Sequence, residues 1–380
     1  MTHSKQRYLF IDLLRFIAVF FMVQGHTFDA LVNASFKTHS LFYIYDMFHG
    51  FVAPMFLFAS GVAFGVSTLK KWEQHIVPGF TLYRRIGKFF SILLIGYALH
   101  LPYFSLHKII AEASTAELLS LFQVDALQCI AVTLLFLEAL VFFVKREYLF
   151  VKIVGALVLI FIFLSPIVWS IRWMEIFPFP LALYFNDDGG SWFPLFPSSA
   201  YVFSGVVFAS VFIEAKERRH AMAVMQKAVI GGVLLIAVGA GFGMLPLHLY
   251  PIHDFWKASP LVFMSRLGFI IIVTSSIYFF EHSVSIRWKL PQILGSESLF
   301  IYIVHLMIVY GSVLNVGLTY FFNSALTVVS ATAAFFLIMM FISVLTYFWH
   351  YLKVHKRSAA YGIQFTIASL LFYFFLARPW

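Results

Sequence analysis

Eleven apolar runs, of which only the sixth is short for the roughly 30 Å hydrocarbon core of a bilayer, dominate this 380-residue sequence. Hydrophobic residues make up 62% of the chain and charged residues only 11%, against about 25% charged in soluble domains. The sequence therefore predicts an all-α polytopic helical bundle that spans the membrane as a single domain over residues 1–380. The runs lie at 8–28, 42–68, 87–106, 124–144, 148–170, 199–214, 225–246, 260–280, 294–314, 325–349 and 361–378.

The basic residues are distributed unevenly among the predicted loops. With the N-terminus in the cytoplasm, the inner segments hold 19 of the 26 Lys and Arg residues and the outer segments hold five. The positive-inside rule therefore predicts an inner N-terminus and an outer C-terminus. We expect a multi-pass protein of a bacterial inner or plasma membrane, and the net charge of +9 is ascribed to this topology and not to nucleic-acid binding. The single cysteine, Cys129, excludes an intrachain disulfide and Cys-based metal centres, and no metal site is expected.

The first span carries charge inside the membrane. Asp12 and Arg15 interrupt it at i,i+3 spacing, which allows an ion pair, and His26 lies near its end. Arg15 and His26 are eleven residues apart, which at 100° per residue is about 20° more than three full turns, so both point the same way. An ionisable side chain at the bilayer centre costs at least about 2.5 kcal/mol. This face is therefore predicted to border a polar tunnel or cavity.

Most other polar residues of the spans are predicted to lie in the outer half of the membrane, which indicates a cavity open to the outside. Two outer segments, 171–198 and 246–260, are rich in aromatic residues that suit stacking on a sugar ring, although an interfacial aromatic belt has the same composition. A lone intramembrane histidine is also often just a hydrogen-bond partner between helices. The predicted substrate-binding residues are His49, Asp125, Gln128, Arg266, Trp256 and His305.

The inner loop between the second and third spans is strongly basic. Arg84, Arg85 and Lys88 lie close together at its end. Such a cluster is common as a topology signal that also attracts anionic lipid. It could alternatively hold the phosphates of a cytoplasmic cofactor, since arginine binds phosphate through two parallel hydrogen bonds.

Span 1 resembles the opening helix of transmembrane acyltransferases. Asp12-Leu-Leu-Arg15, followed by an aliphatic run, is similar to both the acyltransferase-3 family and the heparan-alpha-glucosaminide N-acetyltransferase-like family. The stretches HGFVAPMFLFASGVAF at 49–64, FPLFPSSAYVFSGVVFA at 193–209 and LGSESLFIYIVHL at 294–306 resemble the second family. Phe16 departs from the glycine usual after the arginine of the first motif, so helix packing there must differ.

The resemblance implies an acyl donor, acetyl-CoA, that enters from the cytoplasm, and a sugar or glycan acceptor on the far side. Arg15 and His26 match the functional arginine and histidine of the acyltransferase-3 helix in type and order. In the glucosaminide branch the catalytic histidine lies in the first external loop, where this chain has His39. Either histidine could deprotonate the acceptor hydroxyl or amine, or carry the acyl group transiently, because imidazole titrates near neutral pH.

The remaining predicted roles follow from this assignment. Asp29 or Asp46 could orient the catalytic imidazole, and Arg266 could stabilise the oxyanion or grip the acceptor. The residues predicted to bind acetyl-CoA are Arg15, Asp12, Arg84, Arg85 and Lys88.

A proton-coupled secondary transporter of a small polar solute is the alternative function. Buried Asp, Arg and His residues are equally what such a carrier needs. Against it, the sequence contains no inverted internal repeat and no pair of matching Gly- or Pro-broken spans in its two halves. Stabilisation by CoA or acetyl-CoA would favour the enzyme, and stabilisation only by a solute or an ion would favour the carrier.

Overall fold

The computed structural model describes residues 8–244, 250–284 and 289–378. Its described part is almost entirely helical, with one short hairpin in which β1 (Gly311–Ser312) pairs antiparallel with β2 (Asn315–Val316). The α-helices are α1 Leu9–Leu31, α2 Ala34–Lys37, α3 Ser40–His49, α4 Val52–Leu69, α5 Phe80–Leu99, α6 Leu106–Glu112, α7 Thr115–Phe122, α8 Ala126–Val144, α9 Glu147–Trp169, α10 Phe179–Ala182, α11 Leu195–Glu217, α12 Ala221–Gly243, α13 Phe255–Ala258, α14 Pro260–Ser283, α15 Lys289–Ser296, α16 Ser298–Val309, α17 Leu318–Phe322, α18 Val328–His355 and α19 Arg357–Ala377.

The all-α polytopic bundle is confirmed. Within the described residues nine helical segments are long and apolar enough to cross a membrane, or ten if α15 and α16 count as one bent span. The predicted third span differs most, because α5 begins seven residues before the predicted start and includes three basic residues in its first half. It also ends at Leu99, before Pro102, a residue whose ring disfavours helical geometry in its neighbour.

The predicted ninth span, 294–314, is not one straight helix. α15 and α16 meet at an angle of 77° with Glu297 at the break. The Glu297 carboxylate accepts hydrogen bonds from Lys353 Nζ at 2.7 Å and His350 Nδ1 at 3.0 Å, both from α18. The break is therefore held by a lysine and a histidine of a neighbouring helix.

The described residues form two compact units. The first unit comprises residues 8–52, 99–121 and 289–378, and the second comprises 53–98, 122–244 and 250–284. The proposal of a single domain over residues 1–380 stays a prediction.

Helix α1 is the centre of the first unit, and α15, α16 and α18 pack against it. The closest approach is at Gly295, where an added Cβ would lie 1.8 Å from the backbone oxygen of Asp12. Near the end of α1, the Leu326 backbone N donates to the oxygen of Leu31 at 2.9 Å, which ties the segment after α17 to this helix.

The second unit is built from the long helices α8, α9, α11, α12 and α14 together with α4 and α5. α4 and α11 meet where Gly61 lies against the backbone of Val202 and Gly205 lies against the backbone of Phe58. Two of the stretches that carry the family resemblance, 49–64 and 193–209, thus contact each other directly.

Candidate active site

Two histidines in the first unit form the centre of the candidate site. His26 lies in the last two turns of α1, and His305 on α16 is fully buried. His26 Nδ1 and His305 Nε2 are 3.2 Å apart, and His305 Nδ1 is 2.9 Å from the backbone oxygen of Ile301. Sequence reasoning placed His305 among the substrate contacts, whereas the structure makes it the partner of His26.

The hydrogen-bond partners assign the tautomers of this pair. A carbonyl oxygen only accepts, so His305 Nδ1 carries the proton that it donates to Ile301. A neutral imidazole has one N–H, so His305 Nε2 is an acceptor and His26 Nδ1 is the donor to it. The lone pair of the neutral His26 ring therefore lies on Nε2, the nitrogen directed away from His305.

Arg15 and His26 both contact α16. Its Nη2 donates to Ser298 Oγ at 2.6 Å, and Ser298 is the first residue of α16. Arg15 and His26 therefore share one face of α1, as their helical spacing predicts. Asp12, one turn before Arg15, is buried at 4% exposure, and its backbone oxygen faces Gly295. The stretch LGSESLFIYIVHL supplies all three contacts to α1 through Gly295, Ser298 and His305.

The α3 helix packs on the residues that precede His26. His49 Nε2 donates to the backbone oxygen of Phe21 at 3.0 Å, and its ring fills the space left by the missing side chain of Gly25. Tyr45 Oη donates to Gln24 Oε1 at 3.1 Å. His49, predicted to bind substrate, is thus placed beside the candidate base as a packing partner of α1.

Tyr310, the residue after α16, was not singled out from the sequence. Its ring centroid is 5.7 Å from that of His26, and its hydroxyl lies 3.5 Å from the His26 backbone oxygen. It also lines an open pocket of about 680 Å³, called here the hairpin pocket. The only sequence signal for Tyr310 is its position at the end of the helix that carries His305. The hairpin pocket is lined mainly by Leu99, Tyr310, the β1–β2 hairpin and α17.

Neither aspartate predicted to orient the imidazole is bonded to His26 Nδ1. Asp29 pairs instead with Lys37, whose Nζ lies 3.5 Å from Asp29 Oδ1 and also binds the Asp29 backbone oxygen. The Asp46 side chain is exposed. The orienting role of Asp29 or Asp46 stays a prediction, and in the described structure the partner of His26 Nδ1 is His305, 279 residues away.

The alternative base, His39, caps the N-terminus of α3. Its Nδ1 accepts a hydrogen bond from the Leu41 backbone N at 3.3 Å, and its ring stacks on Phe36 with a centroid distance of 5.9 Å. The lone pair of the neutral ring is therefore used within its own helix cap.

Four predicted substrate contacts belong to the second unit. Asp125 is the N-cap of α8 and forms a capping box with Gln128, so these two side chains support the helix start. Arg266 on α14 is a hydrogen-bond partner of the buried Tyr201 hydroxyl. Trp256 is exposed in the first turn of α13. Residues 245–249 of the same predicted outer segment lie outside the described residues.

Arg85 is committed to a buried cluster in the second unit. Its Nε lies 3.3 Å from Glu138 Oε2, and His75 Nδ1 lies 2.8 Å from Glu138 Oε1. Arg85 Nη2 donates to Thr68 Oγ1 at 2.7 Å. The role of Arg85 in phosphate binding stays a prediction, and in the described structure its guanidinium neutralises an internal carboxylate. Arg84 and Lys88 are exposed.

Comparison with known proteins adds a family assignment. The family model for the catalytic domain of heparan-alpha-glucosaminide N-acetyltransferase matches residues 7–255, which is 249 of the 380 residues. No curated protein matches the chain. The matched region contains Arg15 and His26 and ends before Ser298 and His305. This multi-pass membrane protein belongs to the heparan-alpha-glucosaminide N-acetyltransferase catalytic-domain family, a family of membrane acetyltransferases.

Proposed function

We propose that the chain transfers an acetyl group from cytoplasmic acetyl-CoA to a hydroxyl or amine of an extracytoplasmic sugar or glycan, with His26 as the general base. The single observation that carries this proposal is the hydrogen-bond sequence from His26 through His305 to Ile301, because it directs the basic nitrogen of His26 away from its partner. Family membership supports acetyl transfer as the reaction.

His26 is a better candidate for the general base than His39. A general base needs a lone pair that can reach the acceptor proton. His39 Nδ1 accepts a hydrogen bond from the Leu41 backbone N and so is used in the cap of α3, whereas His26 Nδ1 is held by the buried His305. His26 is also half-buried, which shields the reacting thioester from water, while His39 is exposed.

The proposed step is direct transfer. His26 Nε2 takes the proton from the acceptor hydroxyl or amine, and the acceptor oxygen or nitrogen attacks the thioester carbonyl carbon. The C–S bond breaks, CoA leaves as the thiolate, and the protonated imidazole returns the proton to sulfur. A thioester is already activated, so no further co-reactant is required. His305 acts as a positioning residue because it holds the reactive tautomer of His26.

Arg15 is the proposed contact to the donor. It lies about 16 Å along α1 from His26 by the rise per residue. Its guanidinium and the Ser298 hydroxyl are at the N-terminus of α16, where the helix dipole favours anions. These groups fit the phosphate or pantetheine region of acetyl-CoA. Arg84 and Lys88 stay predicted phosphate contacts.

The proposed location is a bacterial inner or plasma membrane with the N-terminus inside. Transport of a polar solute is the weaker proposal, because the chain matches an acetyltransferase family. Thermal stabilisation of the detergent-solubilised chain by CoA, and not by small solutes, is the expected discriminating result.

Replacement of each candidate histidine tests the catalytic assignment. Membranes that contain His26→Ala should lose transfer of labelled acetyl from acetyl-CoA to endogenous acceptor by about 10²- to 10⁴-fold, the usual contribution of a general base. His39→Ala should keep at least about a third of the activity, since only a helix cap is weakened. Both variants must elute as the parent does in size-exclusion chromatography. Full activity of folded His26→Ala, or an inactive but folded His39→Ala, would overturn the assignment.

A further inference from the structure

We propose that the hairpin pocket binds the acceptor, and that the group it takes is an uncharged, hydroxyl-rich sugar unit. The inference rests on the proposed function, since it assigns a substrate class to the site of His26. Ten of the thirteen residues that line the pocket lie beyond residue 255, where the family match ends.

The lining of the pocket is polar but uncharged. Its thirteen lining residues include Ser312, Asn315, Thr319 and Asn323, and none of the thirteen is acidic or basic. Hydroxyl and amide groups donate and accept hydrogen bonds without charge, which matches the hydroxyls of a neutral sugar. A carboxylate or sulfate would find no cationic partner among the lining residues, so any hydration that it lost there would not be compensated by a charge pair.

Two aromatic side chains, Tyr310 and Tyr320, line the same pocket. A tyrosine ring offers an apolar face and a polar tip, a combination that suits the face of a sugar ring and one of its hydroxyls. Tyr320 is largely exposed, so its face is open to a ligand. The volume of about 680 Å³ lies within the usual range of small-molecule pockets, about 300–1,000 Å³, and is large enough for the end of a glycan chain.

Some polar side chains of the pocket are held by hydrogen bonds within the protein, and others can bind a ligand. Asn315 Nδ2 donates to the Met307 oxygen at 2.8 Å, and its Oδ1 accepts from Ser312 Oγ at 2.7 Å, so this amide holds the hairpin to α16. The side-chain amide of Asn323 makes no hydrogen bond to any described residue and is exposed at the end of α17. Asn323 can therefore give both its donors and its acceptor to a ligand.

The pocket lies next to the proposed base. Tyr310 forms part of its wall, and its ring also contacts that of His26, so the two regions share this side chain. Residues after α5 and after α16 build the pocket, and the segment that follows α17 is bonded to the end of α1. In the predicted topology these three helix ends are all external, which is the side that an extracytoplasmic sugar would approach.

A binding experiment tests the pocket without reference to activity. The full chain in detergent is titrated with lactose as a neutral probe and with glucuronate as an anionic probe, and its thermal midpoint is recorded. Lactose should raise the midpoint by about 2 °C or more at saturation, and glucuronate should leave it unchanged. Val316→Trp, which places a large ring in the pocket at an exposed strand position, should abolish the lactose shift. Val329→Trp, at an exposed position on α18 outside the pocket, is the matched control and should keep it.

Acetyl transfer in membranes separates the two proposals. Val316→Trp should raise the acceptor concentration needed for half-maximal transfer by at least about tenfold, as expected when one ring-sized group blocks a sugar site, with the stabilisation by CoA unchanged. A lactose shift that survives in Val316→Trp, an equal shift with glucuronate, or no shift with lactose in the parent would overturn the pocket proposal while leaving the role of His26 intact. The proposed function itself would instead be contradicted by full activity of the His26→Ala variant.

Discussion

The imidazole of His305 has no contact with solvent, and both of its ring nitrogens are directed at protein atoms. This arrangement resembles the general pattern in which a buried partner fixes the tautomer of a catalytic histidine. The proposed role of His305 differs from that of a substrate contact, since its Nε2 faces His26 Nδ1. Substitutions at His305 should therefore affect turnover more than binding.

His305→Ala should lower kcat by about 10²-fold, because His26 loses the acceptor that holds its tautomer. The KM for acetyl-CoA should change less than about threefold, since a positioning residue does not contribute to ground-state binding. His305→Gln offers a carbonyl oxygen near the position of Nε2 and should recover most of the lost rate. Steady-state kinetics on purified protein measures all three values, and equal losses in the Ala and Gln variants would contradict the positioning role.

Gly25→Ala should destabilise the protein by about 1–3 kcal/mol, a usual cost of overpacking. An added Cβ would lie 1.5 Å from His49 Nε2, so the ring must move. In Gly25→Ala/His49→Ala the obstructing ring is absent, and the two effects should not add. SDS-titrated unfolding measures the four stabilities of this cycle. Gly155→Ala, where an added Cβ meets nothing within 4 Å, is the control and should be neutral or stabilising. If the free-energy changes of Gly25→Ala and His49→Ala simply add in the double variant, the contact between the His49 ring and Gly25 is excluded.

At the scale of elements, the broken pair α15 and α16 organises the first unit. A straight helix over the predicted span 294–314 would not present Gly295, Ser298 and His305 to α1 in the same way, because the two halves differ in direction by 77°. The charged residue at the break, Glu297, is the visible sequence signal for it. Its partners on α18 lie more than 50 residues away, so the sequence reveals the charge and not what neutralises it.

Gly295→Ala should be more damaging than Gly25→Ala, with a loss of at least about 3 kcal/mol, the upper end for overpacking. The obstructing atoms are the backbone oxygen and carbon of Asp12, at 1.8 and 2.8 Å from the added Cβ, and a backbone cannot rotate away as a side chain can. Gly362→Ala on α19, with nothing within 4 Å, is the control. SDS-titrated unfolding gives the comparison, and a loss for Gly295→Ala no larger than for the control would contradict the close packing of α15 on α1.

Glu138→Gln should destabilise the second unit by about 3–5 kcal/mol, the usual cost of removing one member of a buried ion pair. Both carboxylate oxygens are used, one by Arg85 and one by His75, so neutralisation leaves the guanidinium without its counter-charge. Glu175→Gln removes the partner of Arg172 in an exposed pair and should cost less than about 1 kcal/mol. Thermal midpoints in detergent compare the two. Similar small effects in both variants would mean that the internal pair is solvated in the native state.

At the scale of the whole molecule, the predicted orientation depends on the distribution of basic residues among loops. Cys129 is the only cysteine and is buried, so it provides a silent background for labelling. In intact cells a membrane-impermeant maleimide should label Ser170→Cys, at the predicted outer end of α9, and should label Arg146→Cys only after permeabilisation. The parent chain is the control for background. The reverse labelling pattern would show the opposite topology, which would contradict the proposal of an extracytoplasmic acceptor.

The sequence alone was sufficient for the all-helical membrane class, the approximate positions of the spans and the shared face of Arg15 and His26. These follow from local properties, since span length and helical periodicity depend only on neighbouring residues. The resemblance to the heparan-alpha-glucosaminide N-acetyltransferase-like family was likewise readable and is confirmed by the family match, which covers three of the four stretches and ends before the stretch at 294–306. The third and ninth predicted spans differed most, where Pro102 and the buried charge of Glu297 interrupt the apolar pattern.

Only the tertiary structure decided which polar groups meet. The partner of His26 is 279 residues away, the carboxylate of Glu138 pairs with Arg85 and not with other basic residues, and Tyr310 joins His26 to a pocket built from separate helix ends. Inside a membrane each buried polar group needs a partner, but many side chains can fill that role. Helix packing over long sequence separations determines which of them does.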